Sequence, residues 1–213
     1  MSILKLFPIP VYKGHLDIEQ YLLDELDTLF KNIDTRDLQA REEMLEMKKE
    51  FLERGSWSAE AGLSTGQICT DLHSNNYRIR KLADEMHPKV CEYWEELGYA
   101  PANIQVTASW ANDHQVGDYT GEHSHSDGWR QAHVASVIYL DKTKGRGNLE
   151  ICNPLDYIHR LTPLHGEQGD AIMAEEIETV TGDFLLFPGW LRHRTQPTEH
   201  PRRVLSINWC GFL

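Results

Sequence analysis

Five side chains in the second half of the sequence have the types and spacing of a metal site with an anion anchor. His123, His125 and Asp127 alternate in a short polar segment, and Arg202 follows the distant His193 by nine residues. Two close ligands and one remote ligand can share one face of an octahedron, which is the layout of a non-haem iron site. An arginine fork suits the far carboxylate of a dicarboxylic co-substrate. This order predicts a ferrous site that also binds a dicarboxylate.

The close ligands leave two ligand sets open. In an extended segment, residues two apart face the same side, so all three can point into one cavity. His125, Asp127 and His193 would give the common set of two histidines and one carboxylate, which lowers the net charge of the ferrous centre. His123, His125 and His193 would give a three-histidine site. The residues alone are compatible with both.

The anion anchor is expected at the start of the last apolar strand. Alternation places Arg202 on the face of Ser206 and Asn208, whereas Arg203 shares the face of the large apolar residues. The polar face favours Arg202, with Arg203 as the alternative. Tyr139 can add a hydroxyl to the same carboxylate, so the predicted co-substrate residues are Arg202, Tyr139, Ser206 and Asn208.

Two further residues flank the approach to the histidine cluster. Trp110 and Asn112 lie in the apolar run that precedes it, and we expect them to line the substrate pocket. The long segment 155–178 has weak periodicity and is expected to form a substrate loop or lid.

The pattern of apolar residues predicts helices in the first half and strands in the second. We expect an edge strand over 3–12, helices from Asp17, over 35–53 and over 75–97, and a loop over 55–66. Strands are predicted over 104–110, 134–140, 148–151, 179–187 and 204–209. This order predicts an α+β protein whose mainly β core is an antiparallel sandwich or barrel.

Length and charge limit the classes of protein. The 213 residues, 40% of them hydrophobic, fit one domain over 1–213, with helical support in 1–100 and a β core in 101–213. A net charge of -12 argues against nucleic acid or an anionic membrane as partner. The four cysteines form no close pair and no leader or membrane span is evident, so we expect reduced thiols and a cytoplasmic location.

Several motifs resemble those of the 2-oxoglutarate and iron(II)-dependent oxygenases. The likeness is greatest to a small, largely uncharacterised group whose members begin with Leu-Phe-Pro-x-Pro, here Leu6 to Pro10. It continues through Ser109 to Asn112, Gly117 to Tyr119, His123 to His125, Ser136 to Leu140, Leu186 to His193 and Arg202 to Asn208.

This resemblance implies a double-stranded β-helix, also called a jelly-roll or cupin-like fold. It also implies Fe(II), 2-oxoglutarate and O2 as reactants, with succinate and CO2 released. The pattern of the group points to His123 and His125 as the close ligands, while the generic His-x-Asp form points to His125 and Asp127.

We therefore expect an oxygenase that hydroxylates a small molecule or a peptide side chain. A cupin-type dioxygenase that needs no 2-oxoglutarate is the second enzyme hypothesis, and its oxygen consumption would be independent of that compound. A metal-stabilised binding module is the non-enzymatic hypothesis; it would gain thermal stability with metal and show no turnover.

Overall fold

The computed structural model of the protein describes residues 8–36, 62–67, 70–126, 131–155 and 173–212. Within these ranges the helices are α1 (Gln20–Arg36), α2 (Leu72–Asn75) and α3 (Tyr77–Glu96), with a 3-10 turn at Thr65–Gln67. The strands are β1 (Tyr12–His15), β2 (Leu63–Ser64), β3 (Asn103–His114), β4 (Val134–Lys142), β5 (Leu149–Cys152), β6 (Ala174–Ile177), β7 (Asp183–Pro188), β8 (His193–Thr195) and β9 (Arg202–Phe212).

The strands form two antiparallel sheets. The large sheet has six strands in the order β1-β7-β4-β9-β3-β2, and the small sheet has three in the order β6-β5-β8. Every pairing within them is antiparallel. Two such sheets packed face to face form a double-stranded β-helix, so the predicted fold class is confirmed.

The large sheet is buried on both faces. Its outer face packs against α1 and α3 in a core that includes Leu205, Ile207 and Trp209 of β9. Its inner face packs against the small sheet in a second core, to which β9 contributes Val204 and β5 contributes Leu149. Successive residues of a strand point to opposite faces, so β9 supplies apolar residues outward and most of its polar residues inward.

Helix α3 follows the sequence pattern closely. The apolar residues at helical spacing are buried against the large sheet, as expected for an amphipathic helix. Asn76 caps its N-terminus, because the side-chain oxygen accepts from the backbone N–H groups of Arg78 and Ile79. The predicted helix over 75–97 is therefore confirmed, with boundaries one or two residues shorter.

Other boundaries differ from the sequence prediction. The N-terminal strand is β1 at Tyr12–His15, after the prolines at 8 and 10, because a proline has no N–H for the sheet ladder. Helix α1 begins at Gln20 and not at Asp17. The predicted helix over 35–53 lies outside the described residues, apart from the end of α1.

Three short strands were missed. The predicted loop over 55–66 contains β2, which pairs with β3, and the predicted loop over 155–178 contains β6, which pairs with β5. Strand β8 begins at His193 itself and also pairs with β5. The predicted strand over 179–187 was wrong at its start, because Thr179–Thr181 precede the turn into β7. Strands of two to four residues are too short to show a period.

Two further observations concern thiols and membrane spans. Cys91, Cys152 and Cys210 are free thiols, and Cys69 lies outside the described residues. Within the described parts of the chain, we find no helix whose length and hydropathy would let it cross a bilayer.

Candidate metal centre

Backbone hydrogen bonds bring the close and remote histidines together. His123 and His193 form an isolated antiparallel bridge, with N–H to O distances of 3.0 and 2.9 Å. The N–H of His125 donates to the carbonyl of Gly189 at 2.7 Å. A side chain at Gly189 would collide with the backbone of Ala132, so only glycine fits at this crossing. The segment of His123 and His125 is thus tied to the turn that precedes β8.

The three imidazole rings form one cluster. Ring centroids lie 4.3 Å apart for His123 and His193, 5.3 Å for His123 and His125, and 5.1 Å for His125 and His193. One nitrogen from each ring lies within 4.8 Å of the others. His125 and His193 are buried, and His123 is partly exposed. Small ring rotations bring such nitrogens to the bond length of about 2 Å usual for metal-bound imidazole.

Each ring has its Nδ1 atom beside an oxygen acceptor. Nδ1 of His123 lies 2.8 Å from the carbonyl of Gly121, and Nδ1 of His193 lies 2.9 Å from the carbonyl of Leu191. Nδ1 of His125 lies 2.6 Å from Oδ1 of Asn208. These oxygens can only accept, so the Nδ1 atoms carry the protons and the Nε2 lone pairs are presented for ligation.

The environment keeps His193 neutral. Burial lowers the pKa of His193 well below its ordinary value, and the neighbouring His123 and His125 lower it further. A metal ion binds the neutral ring and not the imidazolium, so this electrostatic environment favours a cation at the cluster.

Aromatic side chains enclose the cluster on two sides. The indole of Trp110 stacks on His125 with 5.6 Å between centroids and 28° between planes. The ring of Phe187 contacts His193 edge-on at 4.6 Å. Gly66 lies against the other side of Trp110, where an added Cβ would come within 3.3 Å of the indole. Trp110, predicted as a pocket residue, therefore lies beside the histidines.

The polar face of β9 runs from the histidine cluster to a buried cation. Asn208 contacts His125, Ser206 pairs with Trp110, and Val204 pairs with both Asn112 and Tyr139. Arg202 lies at the far end of this row. One pair of residues along a strand advances about 6.6 Å, so the row has the length needed for a small dicarboxylate.

The Arg202 guanidinium is buried among neutral groups. It donates to Nδ1 of His114 at 2.8 Å, to Oγ1 of Thr195 at 2.9 Å and to the carbonyl of Gly147. The side chain is 3% exposed, and no carboxylate among the described residues pairs with it. Burial lowers the pKa of Arg202 because desolvation penalises its charge, yet a guanidinium stays protonated at neutral pH.

Tyr139 presents a hydroxyl near Arg202. The side chain is fully buried, and its oxygen has no hydrogen-bond partner in the part of the chain that the structure describes. Thr179 and the backbone of Leu149 lie nearby, but neither contact has hydrogen-bond geometry. Burial raises the pKa of Tyr139, although the charge of Arg202 acts in the opposite direction, so the group is a neutral donor.

Several site predictions are resolved differently by position. Asn112 lies on the inner face of β3 with a buried Oδ1 that has no partner among the described residues. Asp127 lies outside the described residues. His114 was interpreted as a surface or structural histidine, whereas it is buried against Arg202. Its two-residue spacing from Trp110 and Asn112 was the signal that could have revealed it.

Comparisons with known proteins agree with this geometry. A family model described as "Putative 2OG-Fe(II) oxygenase" matches residues 108–208, just under half of the chain. The matched region contains His123, His125, His193 and Arg202. A search of curated proteins found no significant match.

Solved structures share the fold at low sequence identity. A prolyl-4-hydroxylase from Pseudomonas putida superposes with a TM-score of 0.54 and 12% identity, over 96% of this chain and 94% of that one. The epimerase SnoN in complex with Fe3+ and alpha ketoglutarate gives 0.50 and 15%, over 82% and 75%. An oxidoreductase of the 2OG-Fe(II) oxygenase family from Burkholderia pseudomallei gives 0.40 and 13%, and the match spans 52% of this chain and 46% of that one.

The fold and the histidine cluster define a double-stranded β-helix protein with a metal-binding centre between its sheets. With the family match, the chain belongs to the 2-oxoglutarate- and Fe(II)-dependent oxygenases. It is an oxidoreductase of this class, whose cofactor is Fe(II) and whose co-substrate is 2-oxoglutarate.

Proposed function

We propose that the protein hydroxylates a small molecule or a peptide side chain at the centre formed by His123, His125 and His193. In this reaction 2-oxoglutarate, O2 and R–H give succinate, CO2 and R–OH, with one oxygen atom in succinate and one in the alcohol. The observation that carries the proposal is the buried, positively charged Arg202 on the same inner face as the three histidines.

The donor set fits iron. Three neutral imidazoles on one side of a cavity leave other coordination positions open, as an oxygenase requires. When bound there, Fe(II) supplies the activation of O2 and the oxidation of the substrate C–H bond. The chain contributes three fixed ligands and walls formed by Trp110 and Phe187, which limit the access of water.

The far end of the row fits the second carboxylate of 2-oxoglutarate. Arg202 supplies a charge that has no carboxylate partner among the described residues, and Tyr139 supplies an unsatisfied hydroxyl. A carboxylate placed between them would satisfy both groups, which relieves the free-energy penalty of burying each one alone. Ser206 lies between this anchor and Asn208, so it would contact the middle of the co-substrate.

Asn112 is the residue most suited to contact the substrate. Its Oδ1 is buried and without a partner among the described residues, on the inner face next to Val204. An amide in this position can accept from an N–H or O–H group of the substrate, or donate to a carbonyl group. This favours a polar substrate, of which small molecules and peptide side chains are the two classes we propose.

The proposal is tested by following 2-oxoglutarate decarboxylation and O2 consumption together. We expect Fe(II)-dependent succinate formation in the wild-type protein, slow without substrate and increased by a true one. The His193→Ala variant should form none. As a matched control, His87→Ala removes a histidine that contacts the backbone of Ile104 and lies in another part of the molecule; it should retain the rate.

The same experiment separates the cupin-type alternative, which the three-histidine cluster also suits. Oxygen consumption that continues without 2-oxoglutarate would favour that alternative and would contradict the proposed reaction. Metal binding with no turnover across a substrate panel, even with 2-oxoglutarate bound, would indicate a binding module.

A further inference from the structure

The three candidate ligands are not oriented in the same way. His123 and His193 each have Nδ1 beside the carbonyl two residues earlier, of Gly121 and Leu191 respectively. For His125 the corresponding carbonyl belongs to His123, and it already accepts the backbone N–H of His193 at 2.9 Å. The ring of His125 therefore uses a side chain, Oδ1 of Asn208, at 2.6 Å.

Asn208 is held in a position that permits this contact. It is fully buried in the middle of the large sheet, where its backbone neighbours are Ala108 on β3 and Ala135 on β4. Both neighbours are small, so the inner face has room above them for the imidazole of His125. The contact also links the two sheets, because His193 lies on the small sheet and Asn208 on the large one.

We propose that Asn208 is a positioning residue that sets the tautomer and ring orientation of His125. An amide oxygen can only accept, so the imidazole places its proton on Nδ1 and presents Nε2 to the metal. This inference rests on the proposed function, since it assumes that His125 is a ligand.

The consequence is that metal affinity depends on this one side chain. The hydrogen bonds of His123 and His193 come from backbone carbonyls, which no side-chain substitution at those carbonyl positions removes. Loss of an outer hydrogen bond to a metal-bound histidine usually weakens metal binding about 10- to 100-fold. An anionic acceptor at the same place would make the imidazole a stronger donor.

The test measures binding of Co(II) to the metal-free protein by visible absorption, without 2-oxoglutarate. Omitting the co-substrate separates an effect on His125 from any contact of Asn208 with 2-oxoglutarate. Asn208→Leu keeps the approximate volume and removes the acceptor, and Asn208→Asp keeps an acceptor. Asn148→Ala is the control, because Asn148 is also buried but bonds with Thr179 and Glu176.

We expect Asn208→Leu to bind Co(II) about 10- to 100-fold more weakly than the wild type. Asn208→Asp should bind at least as tightly as the wild type, and Asn148→Ala should be unchanged. Equal affinity in Asn208→Leu and the wild type would overturn the inference while leaving the metal site intact. Absence of Co(II) binding in the wild type would overturn the proposed function as well. Circular dichroism and thermal unfolding establish that each variant is folded, and Asn208→Asp tests the inference if Asn208→Leu is not.

Discussion

Two consecutive arginines on β9 lie in opposite environments. Arg203 points outward, where its guanidinium lies 2.7 Å from Asp27, 3.2 Å from Asp113 and 5.1 Å above the ring of Phe30. Arg202 points inward, and its described partners are the neutral groups of His114, Thr195 and Gly147. The chain thus neutralises one charge with its own carboxylates and leaves the other among neutral groups.

The difference teaches which arginine is structural. A salt bridge between β9, β3 and α1 explains Arg203 without any ligand. A buried charge without a counter-charge is unfavourable, so the environment of Arg202 is best suited to an anionic ligand. This contrast supports Arg202 over Arg203 as the 2-oxoglutarate anchor, in agreement with the alternation of β9.

The largest effect should appear in 2-oxoglutarate binding by Arg202→Met and Arg203→Met. We expect Arg202→Met to weaken 2-oxoglutarate binding to the Fe(II) protein about 30-fold to several thousand-fold, because truncating one partner of a buried charge pair costs about 2–5 kcal/mol. Isothermal titration without O2 measures the dissociation constants.

Arg203→Met is the matched control, because it removes the same group one residue away. Its dissociation constant for 2-oxoglutarate should stay within about threefold of the wild type, since a surface-side charge contributes little to binding on the other face. A larger loss in Arg203→Met than in Arg202→Met would reverse the assignment of the anchor.

The second prediction concerns stability, where the order of the two variants is reversed. Arg203→Met should lower the free energy of unfolding by about 1–3 kcal/mol, since it leaves the half-buried Asp113 without its cation. Arg202→Met should change it by less than about 1 kcal/mol without ligand, because lost hydrogen bonds are offset by removal of a buried charge. Urea unfolding of the metal-free proteins tests this; equal losses would contradict the contrast.

The smallest effect should come from Tyr139→Phe. We expect about 1 kcal/mol greater stability of the metal-free protein, since a buried hydroxyl without a partner is removed. We also expect about 10-fold weaker 2-oxoglutarate binding, since a hydrogen bond to a carboxylate is lost. Thermal unfolding and the same titration measure the two effects.

Tyr93→Phe provides the control for Tyr139→Phe. The hydroxyl of Tyr93 donates to the carbonyl of Pro10 at 2.7 Å, so its removal should lower stability and leave 2-oxoglutarate binding unchanged. If both variants lose stability and neither loses affinity, Tyr139 is a core tyrosine and has no role at the anchor.

The sequence predicted what depends on local period. Alternation along β9 and the apolar stripe of α3 were read correctly, because a long regular element repeats its pattern several times. Strands β2, β6 and β8 were missed because their pairing with distant strands, and not their own composition, makes them strands.

The site was partly predictable for the same reason. The candidate ligands and Arg202 are recognisable by type and spacing, whereas the bridge between His123 and His193 is a long-range contact. The contact of Asn208 with His125 also joins distant segments, and the sequence indicated Asn208 only as a co-substrate residue. Contacts of this kind appear only when the strand register is known.

The most direct measurement is an anaerobic Fe(II) titration with and without 2-oxoglutarate, recorded on the wild type, His123→Ala and Asp127→Ala. The three-histidine centre predicts the weak visible charge-transfer band of the chelate in the wild type and in Asp127→Ala, and its loss in His123→Ala. A band that survives in His123→Ala and disappears in Asp127→Ala, or no band in the wild type, would contradict it.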